Sequence, residues 1–155
     1  MPINDSPFKQ IRISFVKTHE DALLPERNNK EYLTGDTGYD IYAVEDVYIQ
    51  PHSTINVPIG LDIGYIEQGY WIRIESRSGM FFRNGITAFG GIIDNSFRGR
   101  FGTALINNTD IEYKVTKGDR IAQLVVYKLI EPVITWTEHK DKTTRGDKGF
   151  GSSGR

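Results

Sequence analysis

The chain has 155 residues, a formal net charge of −1 and no cysteine, with 38% apolar and 25% charged residues. This length and composition are typical of one globular domain, and the missing cysteines exclude disulfides, thiolate metal ligands and thiol catalysis. A nearly neutral charge argues against a general nucleic-acid binder, which would be strongly basic. No apolar run is long enough to span a bilayer, and the N-terminus lacks the features of a signal peptide. We therefore expect a cytoplasmic protein (nuclear or in host cytoplasm if its source is eukaryotic or viral) that is not secreted.

Most of the chain predicts β-strands. Apolar and polar residues alternate over residues 11–15, 55–59 and 70–74, a period of two that is typical of strands with one buried face. Residues 121–126 are more continuously apolar, which indicates a strand buried on both faces. Many short strands separated by glycine-containing turns predict an all-β sandwich or barrel.

One short helix is predicted at residues 80–84, with Gly85 placed to end it. Arg77, Ser78 and Gly79 come just before it, where a strand gives way to the helix. Unpaired N–H groups at a helix start attract an anion, and Arg77 and Ser78 would add a charge and a hydroxyl. A capped helix with an ordinary surface arginine explains the same residues, so the motif alone leaves both interpretations open.

Residues 90–99 predict a β-hairpin with Asp94 and Phe97 near its tip. Two adjacent glycines followed by Ile92 and Ile93 indicate that the backbone closely approaches another group. An aspartate in a turn commonly binds its own backbone, so Asp94 taken alone can be purely structural. Gln123 is polar within an apolar run, and if buried it must be hydrogen-bonded; a structural role and a ligand-binding role stay equally open.

From about Glu138 the composition becomes charged and rich in glycine. We predict a mobile tail over residues 138–155, following a domain over residues 1–137, because the tail has too little apolar surface to order itself. The tail nevertheless contains Arg145, Phe150 and two serines near its end. Guanidinium groups pair with phosphate and aromatic rings stack on bases, so the tail is suited to closing over a phosphorylated ligand that carries a ring.

Five segments, taken in order, resemble the five motifs of the homotrimeric deoxyuridine triphosphate nucleotidohydrolases (dUTPases). They are residues 38–40, 77–79, 91–99, 118–124 and 145–154. Each motif is weak by itself, whereas five in the right order, with the last at the C-terminal end, are specific. The resemblance covers the chain from Gly35 to Gly154.

The resemblance implies a jelly-roll-like β-barrel with one short helix and a flexible C-terminal tail. It implies a homotrimer in which each active site takes three segments from one chain, the hairpin from a second and the tail from a third. The implied reaction is the hydrolysis of dUTP to dUMP and pyrophosphate with Mg²⁺, by in-line attack of water on the α-phosphorus. This would limit uracil in DNA and supply dUMP for dTMP synthesis, with no direct binding to nucleic acid or membrane.

The same resemblance assigns roles to single residues. Asp94 is expected to orient and deprotonate the attacking water. Asp40 and Gln123 would hold metal-bound waters instead of ligating Mg²⁺ directly. Substrate binding is assigned along the chain to Arg77, Ser78 and Gly79 for the phosphates, to the backbone of Gly91, Ile92 and Ile93 for uracil, to Phe97 for the deoxyribose, and to Arg145, Phe150, Gly151, Ser152 and Ser153 of the tail.

The sequence departs from the family pattern at four positions. Phe97 stands where tyrosine is usual, so the ring face is kept and the phenolic hydrogen bond is lost, which bears on discrimination against UTP. Ser76, Ser96 and Arg100 also replace the usual residues. Two alternatives remain: a dCTP deaminase, which shares the fold and usually lacks the tail, and a non-catalytic interaction protein on the same fold.

Overall fold

The computed structural model of the chain describes residues 10–31 and 34–149. The predicted tail residues Phe150, Gly151, Ser152 and Ser153 lie outside this part of the chain. Within it, the elements in chain order are β1 (Ile13–Lys17), β2 (Tyr39–Tyr42), β3 (Val47–Ile49), β4 (Thr54–Ile66), β5 (Tyr70–Glu75), α1 (Ser78–Asn84), β6 (Ile86–Phe89), β7 (Gly91–Ile93), β8 (Arg100–Asn107), β9 (Tyr113–Val115) and β10 (Arg120–Lys128).

The strands form two four-stranded sheets and one two-stranded sheet. The first sheet has the order β1-β4-β8-β6, the second β2-β10-β5-β7, and the third pairs β3 with β9. All neighbouring strands are antiparallel. Strands far apart in sequence are neighbours, as in β1-β4 and β2-β10. The all-β, jelly-roll-like fold with one short helix that the sequence predicted is confirmed.

Alternating burial explains why these segments are strands. In β8 every second side chain is buried, from Phe101 to Asn107, while the others are partly or fully exposed. The inward residues of the two large sheets belong to one apolar cluster, which joins Val57 and Leu105 to Ile72 and Leu124. Burying each such aliphatic side chain contributes roughly 1.5–3 kcal/mol, so this shared core holds the sheets face to face.

The helix α1 ends as the sequence predicted. Gly85 adopts the left-handed conformation, with φ 66°, and its N–H donates to the carbonyl of Phe81 at 2.8 Å. Glycine has no Cβ and adopts this conformation without steric strain, so it can end the helix at this position. The helix begins at Ser78, two residues before the predicted start, because Arg77 takes the extended N-cap position.

The pairing implied by a hairpin over residues 90–99 is wrong. β6 pairs with β8 in the first sheet, whereas β7 pairs with β5 in the second, with Ile93 opposite Ile72. The chain changes sheets at Gly90, where an added Cβ would lie 2.5 Å from the Cβ of Ile74. Only a residue without a side chain fits this crossing, which accounts for the glycine that the sequence singled out.

The last strand ends at Lys128, and residues 129–149 are exposed and contain no further helix or strand. The N–H of Leu129 donates to the carbonyl of Gly69 at 2.8 Å, which fixes the point where this segment leaves the sheet. The domain boundary at residue 137 stays a prediction. Nowhere in residues 10–31 and 34–149 is there a helix with the length and apolar character that crossing a membrane requires.

Replacing Gly90 with alanine tests the crossing. We expect Gly90→Ala to lower the free energy of unfolding by about 1–3 kcal/mol, because the new methyl group must displace Ile74 from a packed core. Urea unfolding at one fixed protein concentration measures this. Gly149→Ala is the control, since nothing lies within 4 Å of the added Cβ there. Equal stability of the two variants would contradict the crossing described here.

Candidate active site

Three of the five motif segments meet at one polar cavity of about 280 Å³. It lies where β2, β10 and the end of β5 come together, at the start of α1. Gln123 pairs with Asp40 on one side and with Glu75 on the other, so the sheet register alone brings two of these segments side by side. The lining residues are Asn28, Asp36, Thr37, Gly38, Asp40, Arg77, Ser78, Arg120 and Gln123.

Asp40 is the buried charge of this cavity, with 8% of its surface exposed. Its Oδ1 lies 2.9 Å from Nε of Arg77, and its Oδ2 lies 3.5 Å from Nη1 of Arg120. Arg77 also donates from Nη1 to the backbone carbonyl of Arg120 at 3.2 Å. A buried carboxylate needs such partners, and in return it fixes the orientation of the Arg77 guanidinium. The predicted role of Asp40 toward metal-bound water stays a prediction beside these ion pairs.

Gln123 is half-buried and hydrogen-bonded, since its Nε2 donates to the carbonyl of Ser76 at 2.9 Å. Its Oε1 packs against Gly38, where any added Cβ would overlap it. Gly38 is therefore required by the close approach of the Gln123 side chain. Together these contacts hold the first, second and fourth motif segments in one arrangement.

Ser76 occupies the position before Arg77 where the family pattern usually has proline. Its Oγ donates to the carbonyl of Ala88 at 3.1 Å and accepts from the N–H of Ala88 at 2.8 Å. This pair of bonds ties the segment before Arg77 to β6. A proline at this position would restrict the loop through its ring. The serine restricts the same loop through its hydrogen bonds.

The start of α1 is open on the cavity side. Arg77 makes no side-chain capping bond at the N-cap, and the first turn contains no acidic residue. A Cβ added to Gly79 would meet no heavy atom within 4 Å. Ser78 and Gly79 therefore leave room beside the Arg77 guanidinium for a ligand oxygen.

Arg120 is a cavity residue that the sequence analysis missed. It lies three positions before Gln123, and in a regular strand that spacing places two side chains on opposite faces. The register of β10 against β2 shifts between Arg120 and Ala122, and both Ile121 and Ala122 are buried. This bulge returns Arg120 to the face of Gln123. The position of a bulge is not readable from residue spacing.

Asp94 is exposed and lies outside the polar cavity. It lines a different, largely apolar cavity of about 710 Å³, with Ile92, Trp71 and Tyr127 among its neighbours. Since Ile93 pairs with Ile72, Asp94 lies beside the start of β5, whereas Arg77 follows its end. At about 3.3 Å per residue the two side chains are on the order of 20 Å apart within one chain.

The remaining predicted residues are distributed around these two cavities. Gly91 has φ 66°, and β7 is an edge strand that leaves Ile92 65% exposed and Ile93 buried.

The ring of Phe97 packs over Gly99, where an added Cβ would lie 2.8 Å from it. Arg145 is exposed and donates from Nε to the carbonyl of Lys148 at 2.8 Å.

Comparison with known proteins identifies relatives along nearly the whole chain. The family model described as dUTPase matches residues 27–154. The deoxyuridine 5'-triphosphate nucleotidohydrolase of Helicobacter pylori (strain Shi470) is 37% identical over 146 residues, which is 93% of this chain and 97% of that protein. The enzyme of the same name from Paramecium bursaria Chlorella virus 1 is 38% identical over 138 residues, 89% of this chain and 94% of that protein.

A solved structure of the Staphylococcus bacteriophage 80alpha dUTPase with dUPNHPP superposes with a TM-score of 0.79. It is 28% identical in sequence, and the match covers 93% of this chain and 99% of that one. The fold and the sequence comparisons therefore both lead to proteins named as dUTPases or deoxyuridine 5'-triphosphate nucleotidohydrolases.

Removing the charge of Asp40 tests its hold on the two arginines. We expect Asp40→Asn to lower the free energy of unfolding by about 1–3 kcal/mol, because the half-buried guanidinium of Arg77 loses a charge-assisted hydrogen bond. The control is Asp110→Asn, which removes the exposed His52–Asp110 pair and should change stability little. Urea unfolding compares the two, and a loss no larger in Asp40→Asn than in the control would refute this role.

Proposed function

This chain belongs to the dUTPase family, and on that premise we propose that it hydrolyses dUTP to dUMP and pyrophosphate. The observation that carries the proposal is the polar cavity, in which Asp40 holds Arg77 beside Arg120 and next to the open start of α1. The relatives are named for this activity, and all five motifs are present in this chain. The reaction would limit uracil in DNA and supply dUMP for dTMP synthesis. A cytoplasmic location stays a prediction.

The phosphate chain is proposed to bind at Arg77, Ser78 and Gly79. A guanidinium can bind phosphate oxygens in a bidentate way, and it does so with less loss of entropy when its orientation is already fixed. The ion pair with Asp40 provides that fixed orientation. Arg120 adds a second cation on the same side of the cavity, so we include it among the phosphate-binding residues.

Mg²⁺ suits this site through the substrate and water. The described residues contain no group of three or more histidine, cysteine or acidic side chains that could enclose a metal ion. Mg²⁺ keeps several waters and takes its other ligands from substrate phosphates, and the cavity offers oxygens of Asp36, Asp40 and Gln123 to those waters. When bound, the ion would neutralise charge that develops on the phosphates.

Asp94 is proposed as the general base. Its carboxylate would accept a proton from a water molecule as the water oxygen bonds to the α-phosphorus. The bond from that phosphorus to the oxygen bridging to the β-phosphate breaks, and pyrophosphate leaves. Positioning and charge stabilisation contribute most of the rate in such a reaction, so one carboxylate among many phosphate-binding groups is a sufficient set.

The distance between Asp94 and Arg77 supports an active site shared between chains. Within one chain they lie at opposite ends of β5, on the order of 20 Å apart, which is too far for both to contact one α-phosphate. A homotrimer in which one chain supplies Asp94 and another supplies Arg77 removes this conflict. The trimer is therefore part of the proposal.

Uracil is proposed to bind along β7. An edge strand has backbone N–H and C=O groups on its outer side that can pair with another molecule. β7 is such a strand, and it contains Gly91, Ile92 and Ile93. The Phe97 ring, 42% exposed, can pack against the deoxyribose, while the phenolic hydrogen bond of the usual tyrosine is lost.

The tail is proposed to close over the site of another chain. Residues 131–149 are exposed and contain no helix or strand. Arg145 would contact the γ-phosphate, and Phe150 would stack on uracil. Gly151, Ser152 and Ser153 would surround the phosphates.

Asp94→Asn tests the catalytic assignment. With dUTP and Mg²⁺, we expect the wild type to release pyrophosphate and the variant to lose about 10²–10⁴-fold in kcat, the usual contribution of a general base. Asp110→Asn removes another highly exposed aspartate and should keep wild-type kcat. Unchanged turnover by Asp94→Asn would remove that residue from its role, and ammonia released from dCTP would favour the deaminase instead.

Mixing two inactive variants tests the shared site. Asp94→Asn and Arg77→Gln chains, each shown to be folded, are unfolded together and refolded at equal concentration. Half the sites then take Asp94 from an intact chain, and half of those have an intact Arg77, so about a quarter of the sites should be active. Mixed trimers, verified by native mass spectrometry, that show no activity would place both residues in one chain's site.

A further inference from the structure

Asn95, the residue after the proposed base, binds the turn between β4 and β5. Its Nδ2 lies 3.2 Å from the carbonyl oxygen of Ile66, 2.8 Å from that of Glu67 and 2.9 Å from that of Tyr70. These three acceptors flank the short connection between the two strands. The two N–H groups of this amide can donate to the carbonyls of Glu67 and Tyr70, and the longer contact to Ile66 can share one of them, whereas a carboxylate at this place would face only other acceptors.

A second contact closes the turn of residues 94–98 on itself. Arg98 donates from Nη1 to the carbonyls of Asn95 and Phe97, both at 2.7 Å. The N–H of Phe97 donates to the carbonyl of Asp94 at 3.0 Å. The backbone on the C-terminal side of Asp94 is therefore fixed both within the turn and, through Asn95, against the second sheet.

Tyr65 of β4 lies beneath the same turn. The Arg98 guanidinium is 6.0 Å from the centre of its ring, and that of Arg12 is 4.4 Å from it. Cation–π contacts of this kind contribute modestly at exposed positions. The Arg98 contact adds weakly to the attachment of the turn to β4, whereas Arg12 lies outside the turn and does not attach it.

We propose that Asn95 is a positioning residue, which aims the Asp94 carboxylate by fixing the adjacent backbone to the β4–β5 turn. The inference rests on the proposed function, because it concerns the direction of the proposed base. Asp94 is exposed, so its carboxylate depends on its backbone for its place. A misplacement of about 1 Å can cost about 100-fold in rate.

The experiment compares Asn95→Ala with Asn107→Ala. Asn107 is a fully buried asparagine that also donates to two backbone carbonyls, those of Ile49 and Ile111, and it lies outside both cavities. Loss of either amide should lower the melting temperature. We expect Asn95→Ala alone to lower kcat for dUTP, by about 10–100-fold with KM changed less than about 3-fold. The phosphate-binding residues stay intact in both variants.

A third variant, Asn95→Ser, keeps one donor and should have a kcat between those of wild type and Asn95→Ala; it decides the question if the alanine variant does not fold. A kcat in the Asn95 variants equal to that of Asn107→Ala, or a rise in KM at unchanged kcat, would overturn the positioning role. A wild type that does not turn over dUTP in the same assay would overturn the proposed function, and this inference with it. An active wild type with an Asn95→Ala variant whose kcat equals that of the wild type overturns the inference alone.

Discussion

The length of β5 is the constraint on which the functional organisation depends. Pairing with β7 places Asp94 beside the first residues of the strand, and the loop after its last residue carries Arg77. A regular strand cannot be compressed, so a carboxylate and a guanidinium on the order of 20 Å apart cannot act on the same phosphorus atom within one chain. Each chain therefore has two incomplete half-sites, one around Arg77 and one around Asp94. The proposed reaction requires chains to assemble, whatever the subunit contacts contribute to stability.

Each half-site is organised around a polar side chain that binds parts of the chain distant in sequence. At the polar cavity, Asp40 pairs with Arg77 and Arg120, while Gln123 binds Ser76 and leaves room only for glycine at position 38. Beside Asp94, Asn95 binds the β4–β5 turn. In both places the hydrogen-bonding partners of the polar group come mainly from main-chain carbonyls or oppositely charged groups. Such satisfied networks rigidify the backbone, which favours groups held in place before the ligand arrives.

Departures from the family pattern have local physical explanations where the structure describes their contacts. Ser76 stands in place of the usual proline and restricts the loop through two hydrogen bonds to Ala88. Phe97 keeps a ring that packs on Gly99. These changes alter how a loop or ring is held while leaving the charged groups of the two half-sites in place, so they are compatible with an unchanged reaction.

The sequence alone determined the mainly β class, four of the strands (β1, β4, β5 and β10), the short helix with its glycine end, and the set of chemical groups, because alternation, capping and motif order are local signals. It also assigned Asp94 and Arg77 to one reaction through the resemblance. The tertiary structure decided which groups meet: the bulge in β10 that brings Arg120 beside Gln123, the change of sheet at Gly90, and the three carbonyls that converge on Asn95. Each of these depends on which strands far apart in the chain pair with each other, because the alternation of residues identifies the buried face of a strand without identifying its partner.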